Sequence, residues 1–233
     1  MDKILKPTYW RYERKFFISE LDKHQVEQII KMHPAMFSEI YQERQVNNIY
    51  LDSYAMTNFF KSVDGQSRRL KIRIRWYGSQ FGIVDRPILE LKIKNGLLGT
   101  KMSFPLIRLN VDKELTNKVI REVLNGSNLP EQILDLMKIF DITLLNTYRR
   151  KYFQTADKKY RITIDSSMKF IGLAANNNTY SNELNDHRNV VAELKYDEPL
   201  DDEAQFITNY LPFRMTKSSK YVTGVENILK TIN

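Results

Sequence analysis

The chain has 233 residues, of which 42% are hydrophobic and 27% charged, a balance typical of a protein that folds around a core. It contains no cysteine and three histidines, which excludes disulfides and thiolate sites and disfavours a histidine-rich metal site. Its apolar runs are far shorter than the roughly 20 residues of a membrane-spanning helix, and its charged start lacks the pattern of a secretory signal. We therefore expect one cytoplasmic domain over residues 1–233.

The net charge is +8 and the pI is near 9.4. A basic balance of this size favours a polyanionic partner, a class that includes nucleic acid, phosphorylated small molecules and an anionic membrane surface. Only the placement of the charges in the fold can distinguish among these partners.

Strand and helix periodicities follow one another along the chain without a linker or a repeat. In the first part of the chain they predict a strand at 9–18, a helix at 20–33 that starts after Ser19, a strand at 44–51 and a helix at 54–63 capped by Asp52 or Ser53. Strands at 68–77, 88–94 and 101–109 follow, and then helices at 113–124 and 130–140. The last part is predicted to contain strands at 143–154, 160–165, 169–173 and 189–196, and helices at 201–211 and 217–232. Residues 174–185 are typical of a polar hairpin loop. Many strands without regular βαβ alternation predict an α+β fold whose largely antiparallel sheet either exposes its edges or closes into a barrel.

Charged and apolar residues alternate in the predicted strands. Because residues i and i+2 of a strand share a face, one strand carries a ladder of four cations: Arg69, Lys71, Arg73 and Arg75. Like charges about 7 Å apart on such a ladder repel by about 0.6 kcal/mol in water and about 2 kcal/mol at an effective dielectric near 20. A bound polyanion would remove this repulsion, although any single ladder is also compatible with an ordinary solvent-facing surface.

Carboxylates that share a face with cations are candidate metal ligands. Four of them do so: Glu13, Glu90, Asp165 and Glu193. Hard divalent cations prefer oxygen ligands and bridge phosphate oxygens, so carboxylates among cations suit phosphoryl chemistry. Each of the four is equally compatible with a salt bridge to a neighbouring Arg or Lys, and Glu193 is the best candidate ligand.

Seven groups of residues then occur in order: YERKF, NNIYLDS, KIRIRWYG, LELKIK, YRRKYF with RITID, VVAELKY and KSSKY. Together they resemble the VTC domain, the catalytic domain of the vacuolar transporter chaperone polyphosphate polymerases, which belongs to the CYTH or triphosphate tunnel metalloenzyme superfamily. The resemblance runs from about Tyr9 to Ile228. It implies a closed or nearly closed antiparallel β-barrel of about eight strands with flanking helices, whose lumen binds triphosphate or polyphosphate. It also implies transfer of the ATP γ-phosphate to a growing polyphosphate chain.

The resemblance further implies roles for individual residues. Carried over by motif, the catalytic cations at the reacting phosphates would be Lys15, Arg73, Arg75, Lys92 and Arg150. Further substrate-binding residues would be Lys94, Lys101, Arg161, Lys195, Lys217 and Lys220. Glu193, with Glu13 beside it, would hold a divalent cation, Mn²⁺ or Mg²⁺.

One position departs from the superfamily pattern. Hydrolases of the superfamily carry Glu-x-Glu-x-Lys in the first strand, whereas the same frame here starts with Arg11 and keeps only Glu13 and Lys15. The missing carboxylate favours the polymerase, with ATP and polyphosphate as ligands. The alternatives are a hydrolase of inorganic or nucleoside triphosphate in the same tunnel, and a non-catalytic module that binds polyphosphate.

Two further expectations concern partners. No nucleic-acid partner is expected, because the aromatic residues fall mostly on the apolar faces rather than between the cations, where bases would stack. A separate membrane-protein partner would place this cytoplasmic protein at the inner face of a membrane.

Overall fold

A closed ring of antiparallel strands forms the body of the molecule. The computed structural model describes residues 9–232 except 175, 177, 179 and 181. The strands are β1 (Arg11–Ile18), β2 (Ser38–Asp52), β3 (Arg68–Tyr77), β4 (Gly82–Val84), β5 (Ile88–Asn95), β6 (Leu98–Pro105), β7 (Leu109–Val111), β8 (Asp141–Gln154), β9 (Arg161–Gly172), β10 (Glu183–Asp186) and β11 (Val190–Asp197).

The main sheet has nine strands in the order β10-β9-β11-β1-β6-β5-β3-β2-β8. Because β8 also pairs with β9, all of these strands except β10 close into a ring of eight, and β10 lies outside it along β9. Strands β4 and β7 form a separate two-stranded sheet. The predicted α+β fold with a closed antiparallel sheet is therefore confirmed.

Within the described residues, six α-helices flank or enter the ring. They are α1 (Lys23–Lys31), α2 (Thr57–Val63), α3 (Asn117–Gly126), α4 (Glu131–Met137), α5 (Ala204–Asn209) and α6 (Lys220–Ile232), with a turn of 3-10 helix at Glu198–Leu200. None of the helices that the structure describes is long and apolar enough to cross a membrane.

Side-chain oxygens bind first-turn N–H groups at the start of the first two helices. The prediction that α1 starts directly after Ser19 is wrong, because a capping box forms further along: the Asp22 carboxylate accepts hydrogen bonds from the N–H groups of His24 and Gln25, and the Gln25 side chain accepts one from the Asp22 N–H. For α2, the predicted start at residue 54 with Asp52 or Ser53 as the cap is wrong: the helix begins at Thr57 and its N-cap position is Met56, which makes no side-chain cap bond, although Asp52 and Ser53 bind first-turn N–H groups from upstream. The Asp52 carboxylate accepts from two N–H groups of the first turn, and the Ser53 hydroxyl accepts from a third.

Several predicted bounds were wrong in extent. Strand β2 begins at Ser38, six residues before the predicted start, and the predicted strand at 101–109 is two strands, β6 and β7. The predicted strands at 160–165 and 169–173 are one strand, β9. It continues through an irregularity at Ser167, where φ is 52° and the pairing with β8 shifts register. The predicted loop at 174–185 contains the start of β10 and includes residues outside the described part. The last two helices begin later than predicted, at Ala204 and Lys220.

The apolar faces divide into an outer and an inner set. The outward apolar residues of β3 and β5 pack against α3 and α4, and those of β1, β9 and β11 pack against α1 and α5. Inside the ring, Tyr50, Leu144 and Phe170 contact Tyr221 and Val225 of α6. Helix α6 therefore fills part of the lumen with apolar side chains.

Glycine allows this close approach of α6. A Cβ atom built on Gly224 would lie 2.6 Å from both Leu144 Cδ2 and Phe170 Cδ1, closer than real Cβ contacts. Both neighbours are buried, so neither can move into solvent. Position 224 is therefore restricted to glycine by packing.

We call residues 215–219, which precede α6, the strap. Strand β1 pairs with β6 only at Arg11 and Tyr12, and the strap covers part of the β1 edge that β6 leaves free. Met215 forms an isolated bridge with Phe16, and the Thr216 N–H donates to the Lys15 carbonyl at 2.8 Å. The strap thus continues the wall of the ring.

We predict that Gly224→Val lowers the free energy of unfolding by about 2 kcal/mol or more, because overpacking forces neighbouring side chains and backbone to shift. Denaturant titration measures this change in the free energy of unfolding. Glu226→Val is the matched control, since Glu226 is exposed on the same helix and receives the same branched side chain. An equally small effect of both changes would contradict close packing of α6 in the lumen.

Candidate active site

The polar faces of the ring strands converge on one charged lumen. Cross-strand pairs share a face, and Lys15 lies opposite Glu193, Arg73 opposite Glu90, and Lys92 opposite Lys101. The structure brings together the five predicted catalytic cations and the predicted metal ligand: Lys15, Arg73, Arg75, Lys92, Arg150 and Glu193.

Glu90 lies among three cations at one side of the lumen. Its Oε2 accepts hydrogen bonds from Arg73 Nε at 2.8 Å and Nη2 at 2.6 Å, and its Oε1 accepts one from Lys101 at 2.8 Å. Arg75 lies 3.6 Å away. Burial raises the pKa of the Glu90 carboxyl, but Arg73 and Arg75 outweigh burial and hold this pKa far below its ordinary value. Glu90 is therefore an ion-pair partner that orients two arginines.

Asp165 is the most buried of these carboxylates. It accepts from Arg150 Nε at 2.5 Å and Nη2 at 2.7 Å, and from Lys220 Nζ at 2.5 Å, while no part of its side chain is exposed. Burial raises its pKa, and Arg150 and Lys220 outweigh burial and lower it. Asp165 thus ties the first residue of α6 to the arginine of β8.

Glu193 is surrounded by cations without being saturated by hydrogen bonds. Its Oε2 lies 2.9 Å from Lys195 and 3.9 Å from Arg150, and its Oε1 lies 3.6 Å from Lys15 and 3.9 Å from Lys92. Oε1 is buried and has no hydrogen-bond partner among the residues that the structure describes. A buried acceptor without a donor is costly, so this oxygen has free capacity for a ligand.

The Glu13 carboxylate is the second candidate metal ligand. It contacts Lys92 and Arg11, and its charge interacts with that of Glu193. Burial raises its pKa, but Lys92 and the other cations bring it down to about 2, so Glu13 is a carboxylate at neutral pH. Within residues 9–232 as described, no group of three or more His, Asp or Glu side chains is arranged around a metal position. Glu13 and Glu193 fit a divalent cation only if phosphate and water oxygens complete its coordination.

Arg75 is held by neutral partners, which the sequence did not indicate. Its Nε donates to Asn48 Oδ1 at 2.9 Å, and its Nη2 donates to the Tyr148 hydroxyl at 3.0 Å. The Tyr148 ring also lies beneath the Arg150 guanidinium, with 5.1 Å between the ring centroid and Cζ. Two arginines are thus oriented around one phenol.

Lys71 belongs to the predicted ladder but was not singled out as a site residue. It lies opposite Lys92, which lies opposite Lys101, so three lysines form a row across β3, β5 and β6. Among the described residues Lys71 forms no ion pair, and its Nζ donates to the Ser219 hydroxyl at 2.6 Å. Burial, followed by Lys15 and Lys92, lowers the pKa of Lys71 well below its ordinary value. An anion bound here would raise this pKa again.

The remaining predicted residues divide between the buried lumen cluster and exposed positions. Lys101, Lys195 and Lys220 lie in the carboxylate contacts described above. Lys94 is half-buried on the lumen face, where burial and then Lys15 and Arg69 lower its pKa. Arg161 is exposed at the first residue of β9, and Lys217 is exposed in the strap with its Nζ beside Gly65. The structure therefore does not bring Arg161 and Lys217 into the buried cluster.

The sequence profile of the VTC domain matches residues 10–229. The chain belongs to the VTC domain family. The family match and the closed antiparallel ring thus confirm the VTC domain and the tunnel fold that the resemblance implied. No curated protein shows a significant match.

Two solved structures share this fold at low identity. A protein of Vibrio parahaemolyticus described as a candidate adenylate cyclase has a TM-score of 0.50 and 10% identity, covering 94% of this chain and 98% of that chain. The adenylyl cyclase candidate HpAC1 of Hippeastrum, described as having a dominant triphosphatase activity, has a TM-score of 0.51 and 12% identity, covering 94% of this chain and 96% of that chain. At these identities the likeness concerns the fold alone.

We predict that Asp165→Asn lowers the free energy of unfolding by about 3–5 kcal/mol, because it leaves Arg150 and Lys220 buried without their anion. The contribution of Asp165 is present above its unfolded pKa near 3.8 and is lost as the pH falls below it, since its folded pKa is lower. Thermal or denaturant unfolding at neutral pH measures the change. Asp135→Asn is the control, because its pair with Lys138 is exposed and worth about 0–1 kcal/mol. A loss below 1 kcal/mol for Asp165→Asn would show that water replaces the carboxylate.

We also predict proton uptake when inorganic tripolyphosphate binds. The lowered pKa of Lys71 in the empty lumen rises beside a polyanion, so binding takes up protons, and affinity falls as the pH rises through the alkaline range. Calorimetry in two buffers with different ionisation enthalpies counts the protons. Lys71→Met should reduce the uptake, while Lys118→Met, on the exposed face of α3, should not. Equal proton uptake in both variants would show that Lys71 is not the group that takes up the proton.

Proposed function

We propose that this VTC domain is a polyphosphate polymerase, which transfers the γ-phosphoryl group of ATP to the end of a polyphosphate chain. One observation carries the proposal. Arg150 of β8, Lys15 of β1 and Lys92 of β5 converge inside a closed ring on Glu193, whose Oε1 has no hydrogen-bond donor among the described residues. The site therefore combines excess positive charge with an acceptor available to a cation.

Charge explains why the ligand would be a chain of phosphates. The cations of the lumen outnumber its four carboxylates, Glu13, Glu90, Asp165 and Glu193, and several cations lack a carboxylate of their own. Guanidinium groups bind phosphate through two parallel hydrogen bonds, and lysines neutralise charge without fixing geometry. Arg73, Arg75 and Arg150 are already oriented by Glu90, Asn48, Tyr148 and Asp165. They need little reorganisation when phosphate binds.

The reaction requires no covalent intermediate with the protein. A terminal oxygen of the polyphosphate chain attacks the γ-phosphorus of ATP, and the bond from that phosphorus to the β-phosphate oxygen breaks. ADP leaves with the electron pair of this bond. Phosphoryl transfer of this kind depends on in-line positioning and charge neutralisation, which an arginine-lined lumen supplies.

A divalent cation fits the site at Glu193 and Glu13. When bound, Mn²⁺ or Mg²⁺ would neutralise phosphate charge and bridge phosphate oxygens. Lys15, Lys92 and Lys195 keep both glutamates ionised, because they lower the pKa of each carboxyl. The glutamates are therefore ready to act as oxygen ligands at neutral pH.

Triphosphate hydrolysis in the same lumen is the second candidate function. It is favoured by the presence of two carboxylates on the lumen face, because Lys92 contacts both Glu13 and Glu193. Water would then take the place of the polyphosphate end as the acceptor. A module that binds polyphosphate without turnover is the remaining alternative.

Incubation of the pure protein with ATP and Mn²⁺ or Mg²⁺, followed by gel electrophoresis, distinguishes these functions. A ladder of lengthening phosphate chains with release of ADP supports the polymerase. Orthophosphate without a ladder supports the hydrolase. Tight binding of tripolyphosphate without turnover of ATP or tripolyphosphate supports the binding module and overturns both enzyme functions.

We predict that Glu193→Gln lowers metal-dependent turnover by about 100-fold or more, because the amide keeps the shape but loses the charge that binds the cation. Calorimetric titration of Mn²⁺ into the tripolyphosphate complex should show weaker binding as well. Glu114→Gln, at an exposed position, is the control for loss of a carboxylate. Unchanged turnover and unchanged Mn²⁺ affinity would remove Glu193 from the metal site.

A further inference from the structure

Four side chains at the exposed end of the lumen form what we call the aromatic collar: Tyr41, Arg44, Tyr77 and Tyr152. The Arg44 Cζ lies 4.6 Å from the centroid of Tyr41, 5.7 Å from that of Tyr152 and 5.8 Å from that of Tyr77. Tyr41 and Tyr152 meet edge to face at 5.6 Å. In the described part of the chain Arg44 forms no ion pair, so three rings alone orient its guanidinium.

An irregularity in β2 creates the collar. Tyr41 and Arg44 are three residues apart, so a regular strand would send them to opposite faces. The pairing of β2 with β8 shifts register on both sides of Tyr41, and between the pairs Tyr41–Tyr152 and Arg44–Arg150 one residue of β8 opposes two of β2. Such bulges redirect side chains, and this one turns Tyr41 to the face of Arg44.

The collar continues directly from the phosphate-binding arginines. Tyr77 follows Arg75 by two residues on the lumen face of β3, and Tyr152 follows Arg150 by two residues on the lumen face of β8. Arg44 lies opposite Arg150. A group attached to a phosphate chain held by Arg75 and Arg150 would therefore emerge about 7 Å away, among these rings.

The rings are also accessible. Tyr41 is 48% exposed and Tyr77 is 49% exposed, whereas most aromatic side chains of this protein that lie on strands are buried in the apolar clusters. Tyrosine faces interleaved with an arginine plane are the arrangement on which nucleobases stack, and every base has a face that suits them. This is a place in the fold where aromatic residues and cations share one surface.

We propose that the aromatic collar binds the nucleobase of a nucleoside triphosphate by stacking, while the lumen binds its phosphates. This inference rests on the proposed function, which places a triphosphate beside Arg75 and Arg150. Because stacking uses ring faces rather than base edges, the collar selects nucleoside triphosphates over inorganic phosphate chains with little preference among bases. A phosphate chain alone would use only Arg44 of the four.

Binding of two probes, ATP and inorganic tripolyphosphate, tests the collar by calorimetry without turnover. We expect Tyr77→Ala to weaken ATP binding by about tenfold and to change tripolyphosphate binding by less than twofold. Tyr77→Phe keeps the ring and should retain the wild-type affinity for ATP. Tyr54→Ala is the matched control, because Tyr54 is 98% exposed outside the ring strands. Tyr41→Ala provides a second ring deletion, and thermal unfolding checks that each variant folds.

The outcomes separate the collar from the lumen. Selective loss of ATP affinity in Tyr77→Ala and Tyr41→Ala supports the collar as a base site. Equal loss for both probes overturns it and indicates that the end of the tunnel binds phosphate instead. No loss for either probe overturns it as well, while leaving the lumen intact. If the wild-type protein binds neither probe, the proposed function and the collar both fail.

Discussion

Closure of the sheet is the constraint on which the rest of this structure depends. An open sheet can turn a charged face to water, whereas a ring has an inside, so each inward cation needs an anion within a small volume. Glu90, Asp165 and Glu193 meet this need, since each is almost fully buried and contacts two or more cations. These carboxylates do not neutralise all of the inward positive charge. The remaining positive charge is the part that an exchangeable anion can neutralise.

The same closure explains why one strand face can be both apolar and charged. Along the lumen face of β8, Leu144 contacts α6, and Tyr148 and Arg150 lie four and six residues further along the same face. The apolar section is filled by the helix, and the charged section remains for a ligand. The contacts of Lys220 with Asp165 and of Tyr148 with Lys220 mark the border between the two sections. A single ring therefore provides its own plug and its own binding surface.

Strand alternation was enough to predict which residues face the lumen, because a period of two holds in a paired strand whatever its partner is. It could not predict the partners. Arg73 and Glu90 seemed to belong to separate ladders, and only the register of β3 with β5 brings them into contact. Lys71 shows the opposite case, a ladder member whose neighbours across the sheet are also lysines.

Where the period of two breaks, alternation gives the wrong face or the wrong strand bounds. Tyr41 lay outside the predicted strand at 44–51, and the bulge that turns it toward Arg44 depends on pairing with β8. The KSSKY segment has no alternation, so the opposite placements of Lys217 and Lys220 had to come from the structure. Cap positions failed for a similar reason: Ser19 and Asp22 are both good cap residues, and the reciprocal bond to Gln25 decides between them.

The strap gives the molecule a mechanical property. The strap covers part of the β1 edge and continues directly into α6. One stretch of chain therefore forms both a part of the ring wall and the helix that fills part of the lumen. The Ser218 carbonyl and the Ser219 hydroxyl of that stretch accept hydrogen bonds from Lys15 and Lys71. Displacement of α6 would therefore disturb both the bonds of the strap to the β1 edge and its contacts with Lys15 and Lys71. The strap, the β1 edge, two lumen lysines and α6 are therefore joined in one connected set of contacts.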